Sequence, residues 1–330
     1  MSKQWTLIKR PEGNPKLSDF ELKEVELPKL KSGQIRVKNL YVSVDPYMRP
    51  KMSASTNSYT VPYQLGELIN GIALGQVTAT TSELFKEGDI VLQMSGWTDE
   101  YILDEKEASK IDPKGLPVSY FLSILGMTGA TAYFGLTHAA KAKPGDILFV
   151  SAAAGAVGST VVQIGKAMGM KVIGSAGGSE KVAYVKSLGA DAVIDYKSTT
   201  PISEQLKAVA PEGIDVYFDN VGGEHLDAAL GNARLNARFA ICGMISTYNS
   251  TDKYSFLNFN QVIAKRIQIK GFLYSDFVAN LPEFHSQMSV WLQHGMIKDH
   301  TTIVEGIDNV IEAFTGLFSG KNTGKMLVKI

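Results

Sequence analysis

Asp146-Ile-Leu-Phe-Val-Ser-Ala-Ala-Ala-Gly-Ala-Val-Gly-Ser-Thr160 is the stretch on which the fold turns. Its apolar start has the length of a buried strand, its middle is built from small residues, and its end opens a helical pattern. Within it, Ala153-x-Gly155-x-x-Gly158 matches the dinucleotide fingerprint, with alanine in the first place, where the turn needs only a small residue. Gly155 would let the backbone approach a pyrophosphate, and Gly158 would let the helix pack on its strand. The helix start adds N–H donors and a partial positive charge for the phosphates, through Ala156 and Val157. A ligand-free small-residue turn is the competing reading of so degenerate a pattern, and the flanking sequence decides between them.

Downstream, apolar runs alternate with helical stretches of about 10 to 15 residues, the pattern of a parallel sheet with crossovers. Strands are predicted at Ile147 to Ser151, Lys171 to Ser175, Ala192 to Tyr196, Asp215 to Asp219, Arg238 to Cys242 and Ile267 to Phe272. Six such strands make a full doubly wound sheet, with the fingerprint after the first, where it should fall. A small-residue helix is expected over Ser123 to Ala139, and amphipathic helices over Leu281 to His294 and Ile307 to Phe318. Upstream, roughly Trp5 to Ile111 has β character, with strands expected within Gly33 to Val44, Leu74 to Thr80 and Asp89 to Leu92. The strand-like Met326 to Ile330 is expected to return to this first domain. The fold class is therefore α/β, organised as a β domain at 1–118, a doubly wound domain at 119–295 and a returning segment at 296–330.

The second strand of the series ends Gly174-Ser-Ala-Gly-Gly178, without the carboxylate that NAD enzymes place there for the ribose 2′-hydroxyl. Lys181, just beyond, can reach a 2′-phosphate, so NADPH is preferred over NADH as the cofactor. Glu180 beside it weakens that argument, and a solvated helix charge is the alternative.

Composition narrows the chemistry. In 330 residues, Lys plus Arg equals Asp plus Glu at 33 each, so no long-range field favours nucleic acid or an anionic membrane. The first ten residues lack a signal-type apolar stretch, and no run approaches a membrane span, which makes the cytoplasm the expected location. Cys242 is the only cysteine, and the five histidines begin at His138, so residues 1–137 offer a metal only oxygen ligands. That is a poor match to the N/S preference of zinc, and no metal is expected in the chemistry.

Several segments together give the chain a family resemblance: Val44-Asp-Pro-Tyr-Met-Arg49, Met127-Thr-Gly-Ala-Thr-Ala-Tyr-Phe-Gly-Leu136, Ala152-Ala-Ala-Gly-Ala-Val-Gly158, Phe218-Asp-Asn-Val-Gly-Gly223, Ile241-Cys-Gly-Met-Ile-Ser-Thr-Tyr248 and Asn322-Thr-Gly-Lys325. With these marks it resembles, nearly end to end, a medium-chain dehydrogenase/reductase. More narrowly, it resembles the zinc-independent branch of prostaglandin reductases, leukotriene hydroxydehydrogenases, alkenal double-bond reductases and curcumin reductase. The resemblance implies a GroES-like β domain followed by a Rossmann domain, and a homodimer. It also implies that Gly155 to Gly158 bind the pyrophosphate, Lys181 and Tyr196 the 2′-phosphate end, and Asn220 the ribose or nicotinamide. Cys242 to Tyr248, including Gly243, the backbone of Phe272, Leu273 and Tyr274, and Asn322 would line the nicotinamide side. For the Cys242 sulfur, a buried structural role is the better reading.

The implied reaction is hydride addition to the β carbon of an α,β-unsaturated ketone or aldehyde, which places charge on the carbonyl oxygen as an enolate. A protonated phenol aimed at that oxygen would stabilise it without a metal. Tyr248 and Tyr47 match family positions near the substrate, with Tyr248 ahead because it follows a strand of the nucleotide domain. Tyr47-Met-Arg-Pro-Lys51 also spells Tyr-x-x-x-Lys, but Pro50 argues against the helix that spacing needs. Tyr59, Tyr63, Phe256, Phe259 and Tyr274 suggest an apolar pocket for a small apolar unsaturated carbonyl substrate, although ordinary packing explains most such aromatics. A quinone reductase and a non-catalytic NADPH-binding protein are the alternatives.

Overall fold

The computed structural model describes residues 1–55, 59–250, 252 and 254–330. It divides into two compact units: Met1–Leu122 with Thr301–Asn322 and Met326–Ile330, and Ser123–His300 with Thr323–Lys325.

The second unit holds the six-strand sheet: β1 Ile147–Val150, β2 Lys171–Ala176, β3 Ala192–Asp195, β4 Ile214–Asp219, β5 Ala233–Ile241 and β6 Gln268–Gly271. The lateral order is β3-β2-β1-β4-β5-β6, parallel throughout. That is the doubly wound Rossmann order, in which the chain reverses direction across the sheet beside β1. Its inner strands are buried because helices cover them, and Phe149, Ile173, Ile194, Tyr217 and Phe239 share one core cluster with the helical Leu230. The small-residue helix is shorter than the sequence pattern suggests: Met127–Phe134 is α-helical and Gly135–Ala139 continues as a π-helical turn. At Gly135 a Cβ would stand 2.4 Å from the Phe218 ring and 2.6 Å from that of Phe272, so the helix lies too close to the sheet for any side chain there.

The first unit is antiparallel. Gln34–Ser43 pairs with Ala73–Thr80, with Glu100–Asp104 and, through Leu327↔Ser43, with the C-terminal strand Lys325–Lys329. Thr301–Glu305, a strand without a sequence expectation, extends that sheet beside Lys325–Lys329. Ser2–Leu7 and Phe20–Val25 form a separate two-stranded ribbon. Trp5, Phe20, Trp97 and Phe314 anchor the core, and the Trp5 indole N–H donates to the Ile307 carbonyl at 2.7 Å. The last helix begins as a tight 3₁₀ turn, Ile307–Asn309, and continues as α-helix over Val310–Ser319.

Candidate functional site

The loops at the carboxyl ends of the parallel strands gather most of the residues singled out above, and they differ in what holds each one. At the turn after β1, Gly155 caps the helix Ala156–Ala167, and its N–H donates to the Ala152 carbonyl at 2.9 Å. A Cβ at Gly155 would meet only the Ala152 oxygen, at 3.3 Å, so the space outside this glycine is open. At Gly158 a Cβ would lie 2.2 Å from that same oxygen, which no shift of a flexible side chain could relieve. One glycine therefore leaves room for a ligand, while the other is required by contact between the helix and the turn. Ala156 and Val157 are the first helical residues between them. Gly324, from Asn322-Thr-Gly-Lys325, donates its N–H to the Ala154 carbonyl at 2.8 Å and so lies against the turn. Asn322 itself ends the run that belongs to the first unit.

The ends of β2 and β3 meet at a second corner. The Tyr196 ring covers Gly177 so closely that a Cβ there would lie 2.5 Å from it, and the ring meets that of His225 edge-on at 5.6 Å. Lys181 occupies the first turn of the helix Ser179–Ser187, its ammonium pushed below the ordinary lysine range by burial and then by the charge of Lys197. The strand end has no carboxylate of its own, but Asp195 of the neighbouring strand reaches it. Asp195 Oδ1 accepts the N–H groups of Gly178 and Lys197, each at 2.9 Å. Sequence spacing along β2 could not reveal this, because the carboxylate arrives laterally through the parallel pairing of β3.

Beyond β4, Asn220 is fastened to β1: its N–H donates to Ser151 Oγ and its Nδ2 to the Ser151 carbonyl, both at 2.8 Å. Among the described residues its Oδ1 has no hydrogen-bond partner, so it can accept from a ligand hydroxyl or amide. Asp219 orders the turn by accepting through Oδ1 from the Tyr217 hydroxyl at 2.7 Å and the N–H groups of Val221 at 2.9 Å and Gly222 at 2.8 Å. The Cys242 and Gly243 N–H groups both donate to the Asp219 carbonyl, at 2.9 and 3.0 Å. Burial, and then Asp219, push the Cys242 thiol up to about 12, so the sulfur is an inert apolar atom rather than a nucleophile. Tyr248 follows the 3₁₀ turn Ile245–Thr247 and folds back over Gly243, where a Cβ would stand 3.2 Å from the phenol oxygen. That oxygen accepts the Met244 N–H at 3.3 Å.

The Phe272 ring is core, packed edge-on against Phe218 at 6.0 Å, which leaves its backbone as the part a ligand could use. The Leu273 N–H already donates to Asp276 Oδ2 at 2.9 Å, and Tyr274 begins the 3₁₀ segment Tyr274–Asn280. Among the proposed pocket aromatics, Phe256 and Phe259 form a row with Tyr254, with ring centroids 5.1 and 6.3 Å apart, and Phe259 is exposed.

Tyr47 lies in the first unit. The helical turn that Pro50 argued against is present: Met48–Lys51 is helical with Tyr47 as its N-cap. Pro50 falls at the third helical position, where the N–H it lacks has no partner within the helix in any case. Burial, then the nearby charges of Asp45 and Tyr59, hold the Tyr47 phenol well above its ordinary range, so it stays protonated. Tyr63 is buried, with its hydroxyl donating to the Asn70 carbonyl at 2.8 Å. Lys51 Nζ bonds Asn70 Oδ1, also at 2.8 Å, and lies 4.3 Å from the Tyr63 ring centroid. Within the second unit, Asp195, Lys197 and His225 are neighbours of these residues to which the sequence reading gave no role. Only Lys197 carried a signal, as the residue after Tyr196.

The second unit fits a dinucleotide: an open glycine at a helix start, a cationic corner one strand over, and an amide acceptor beyond β4. Comparison with known proteins agrees. Residues 3–111 match the family described as the N-terminal domain of oxidoreductase, and residues 156–289 the family described as zinc-binding dehydrogenase. Prostaglandin reductase 1 of Bos taurus is 41% identical over 99% of this chain and 99% of its own. The NADP(+)-dependent 2-alkenal reductase of Nicotiana tabacum is 40% identical over 100% of this chain and 97% of its own. The crystal structure of CurA from Vibrio vulnificus in complex with NADPH superposes with a TM-score of 0.94 at 39% identity, covering 99% of this chain and 98% of that one.

Proposed function

Since the chain belongs to the medium-chain dehydrogenase/reductase family of NADP-dependent oxidoreductases that includes prostaglandin reductase 1 and 2-alkenal reductase, we propose that it reduces the C=C bond of α,β-unsaturated ketones or aldehydes with NADPH. The observation that carries this reading is the pairing, in one unit, of an open glycine at the β1 turn with a phenol held over the backbone after β5. NADPH, when bound, supplies the hydride.

In this reading Gly155, Ala156, Val157 and Gly158 hold the pyrophosphate, Lys181 and Tyr196 the 2′-phosphate, and Asn220 Oδ1 a ribose hydroxyl or the nicotinamide amide. The backbone at Cys242 and Gly243, that of Phe272, Leu273 and Tyr274, and Asn322 line the nicotinamide side. Tyr248 donates a hydrogen bond to the substrate carbonyl oxygen, where negative charge grows as the β carbon accepts hydride, and the α carbon of the resulting enolate then takes a proton from solvent to complete the reduction. A phenol oxygen that accepts the Met244 N–H is oriented by it and made a better donor, because that N–H stabilises charge building on the oxygen. Tyr47 is the second candidate donor, held protonated by its burial. The first unit is the substrate domain and the second the NADP-binding domain.

We further propose that the chemistry is metal-free, since Cys242 is the single cysteine and residues 1–137 carry neither His nor Cys. A lone cysteine also suits a reducing cytoplasm. A homodimer is the proposed assembly, supported by β6, an edge strand exposed along its length that follows the exposed Leu257, Phe259 and Ile263.

The test is loss of NADPH absorbance with a panel of enones, alkenals and quinones. Turnover of enones or alkenals is expected. Turnover of quinones alone would assign a quinone reductase, and tight NADPH binding with no turnover would assign a binding protein.

A further inference from the structure

We propose that Lys197 is a second cation for the adenosine 2′-phosphate, acting with Lys181 as a two-point clamp that sets the preference for NADPH over NADH. The inference rests on the NADPH reading above and names a determinant of that site.

The geometry places Lys197 at this corner through its backbone. Asp195 Oδ1 accepts the N–H groups of Lys197 and Gly178 together, so the first residue after Tyr196 is pinned beside the glycine that caps the Lys181 helix. Tyr196, stacked over Gly177 and edge-on to His225, fixes the direction in which the chain leaves β3. The two lysines arrive from different strands and are close enough that the charge of Lys197 acts on the Lys181 ammonium.

Among the described residues, no ion pair joins Lys181 or Lys197 to an acidic side chain. Asp195 is committed to the two backbone N–H groups through Oδ1. Glu180, the residue that weakened the argument for Lys181 in sequence, forms no ion pair with it among the described residues. Two like charges at one corner with no ion-pair partner repel, and a dianion placed between them removes that repulsion while gaining two charge-assisted contacts. A 2′-phosphate carries a charge of about −1.5 to −2 near neutral pH, which one lysine would leave half-compensated. A ribose 2′-hydroxyl offers no such gain, so the same pair separates the two cofactors.

Calorimetric titration of the full-length protein with 2′,5′-ADP and with 5′-ADP reads this without turnover. The wild type is expected to favour 2′,5′-ADP strongly, and Lys197→Met to cut that preference about tenfold while 5′-ADP affinity holds. Lys197→Arg should restore most of the preference, and added salt should erode it less in Lys197→Met than in the wild type. A wild type that does not discriminate between the ligands would overturn the NADPH reading itself. A discriminating wild type with an equally discriminating Lys197→Met, or a variant that loses both ligands in parallel, would overturn the role of Lys197.

Discussion

The turn after β1 and the loop after β5 both sit at carboxyl ends of parallel strands, yet they are built by opposite means. The first works by leaving side chains out: Gly155 opens a space, and Gly158 permits a contact that a single methyl group would destroy. The second works by folding a side chain in: Tyr248 returns over Gly243 and is oriented by the Met244 N–H. A backbone-built site tolerates almost no addition at its glycines. A side-chain-built site can lose one atom, keep its fold and lose its chemistry.

Substitutions should separate the two kinds of construction. The largest effect is expected for Gly158→Val, whose Cβ would overlap the Ala152 carbonyl oxygen 2.2 Å away. It should fail to fold or lose several kcal/mol of stability in chemical denaturation, and an unchanged midpoint would break the packing account. Tyr248→Phe should lower kcat by about 10²-fold, the usual scale for removing one donor from a developing oxyanion, with the NADPH KM little changed. If Tyr47→Phe produces that loss instead, the donor belongs to the first unit.

The third effect is acid-dependent. His225, whose Nε2 lies 2.9 Å from Ser175 Oγ, is held neutral by burial, its pKa lowered from 6.5 to about 4. Its stabilisation is complete above about pH 6.5 and is lost as pH falls toward 4, because the unfolded chain then binds a proton that the folded chain refuses. The full loss is about 3 kcal/mol, and His225→Gln should flatten the decline in stability between those pH values. The smallest effect is expected for Gly155→Ala, whose Cβ would press on only one neighbour, the Ala152 oxygen at 3.3 Å, and needs a shift of a few tenths of an ångström there. The fold should persist and the NADPH Kd rise by roughly tenfold, as a methyl group enters the space a pyrophosphate would use. Equal behaviour of the two glycine variants would erase the distinction between opening and contact.

The inner strands β1, β2 and β4 were legible because a buried parallel strand must be apolar on both faces, so burial is written into the residues themselves. Thr301–Glu305 was not legible: it is mostly half-buried, and it forms a strand because it lies beside Lys325–Lys329, a partner remote in sequence. Pro50 misled for a related reason. Proline opposes a helix interior, and only the structure places it in a first turn with Tyr47 as the cap.

The chain sequence by itself determined the small-residue turn after β1, the six-strand series and the position of a lysine after β2, because each rests on local spacing that the backbone must obey. Only the tertiary structure decided which glycine opens and which packs, that Asp195 reaches the end of β2 from the side, and that Lys197 joins Lys181 there. Those facts depend on distances between strands that are neighbours in the sheet and not in the chain, and no one-dimensional spacing carries them.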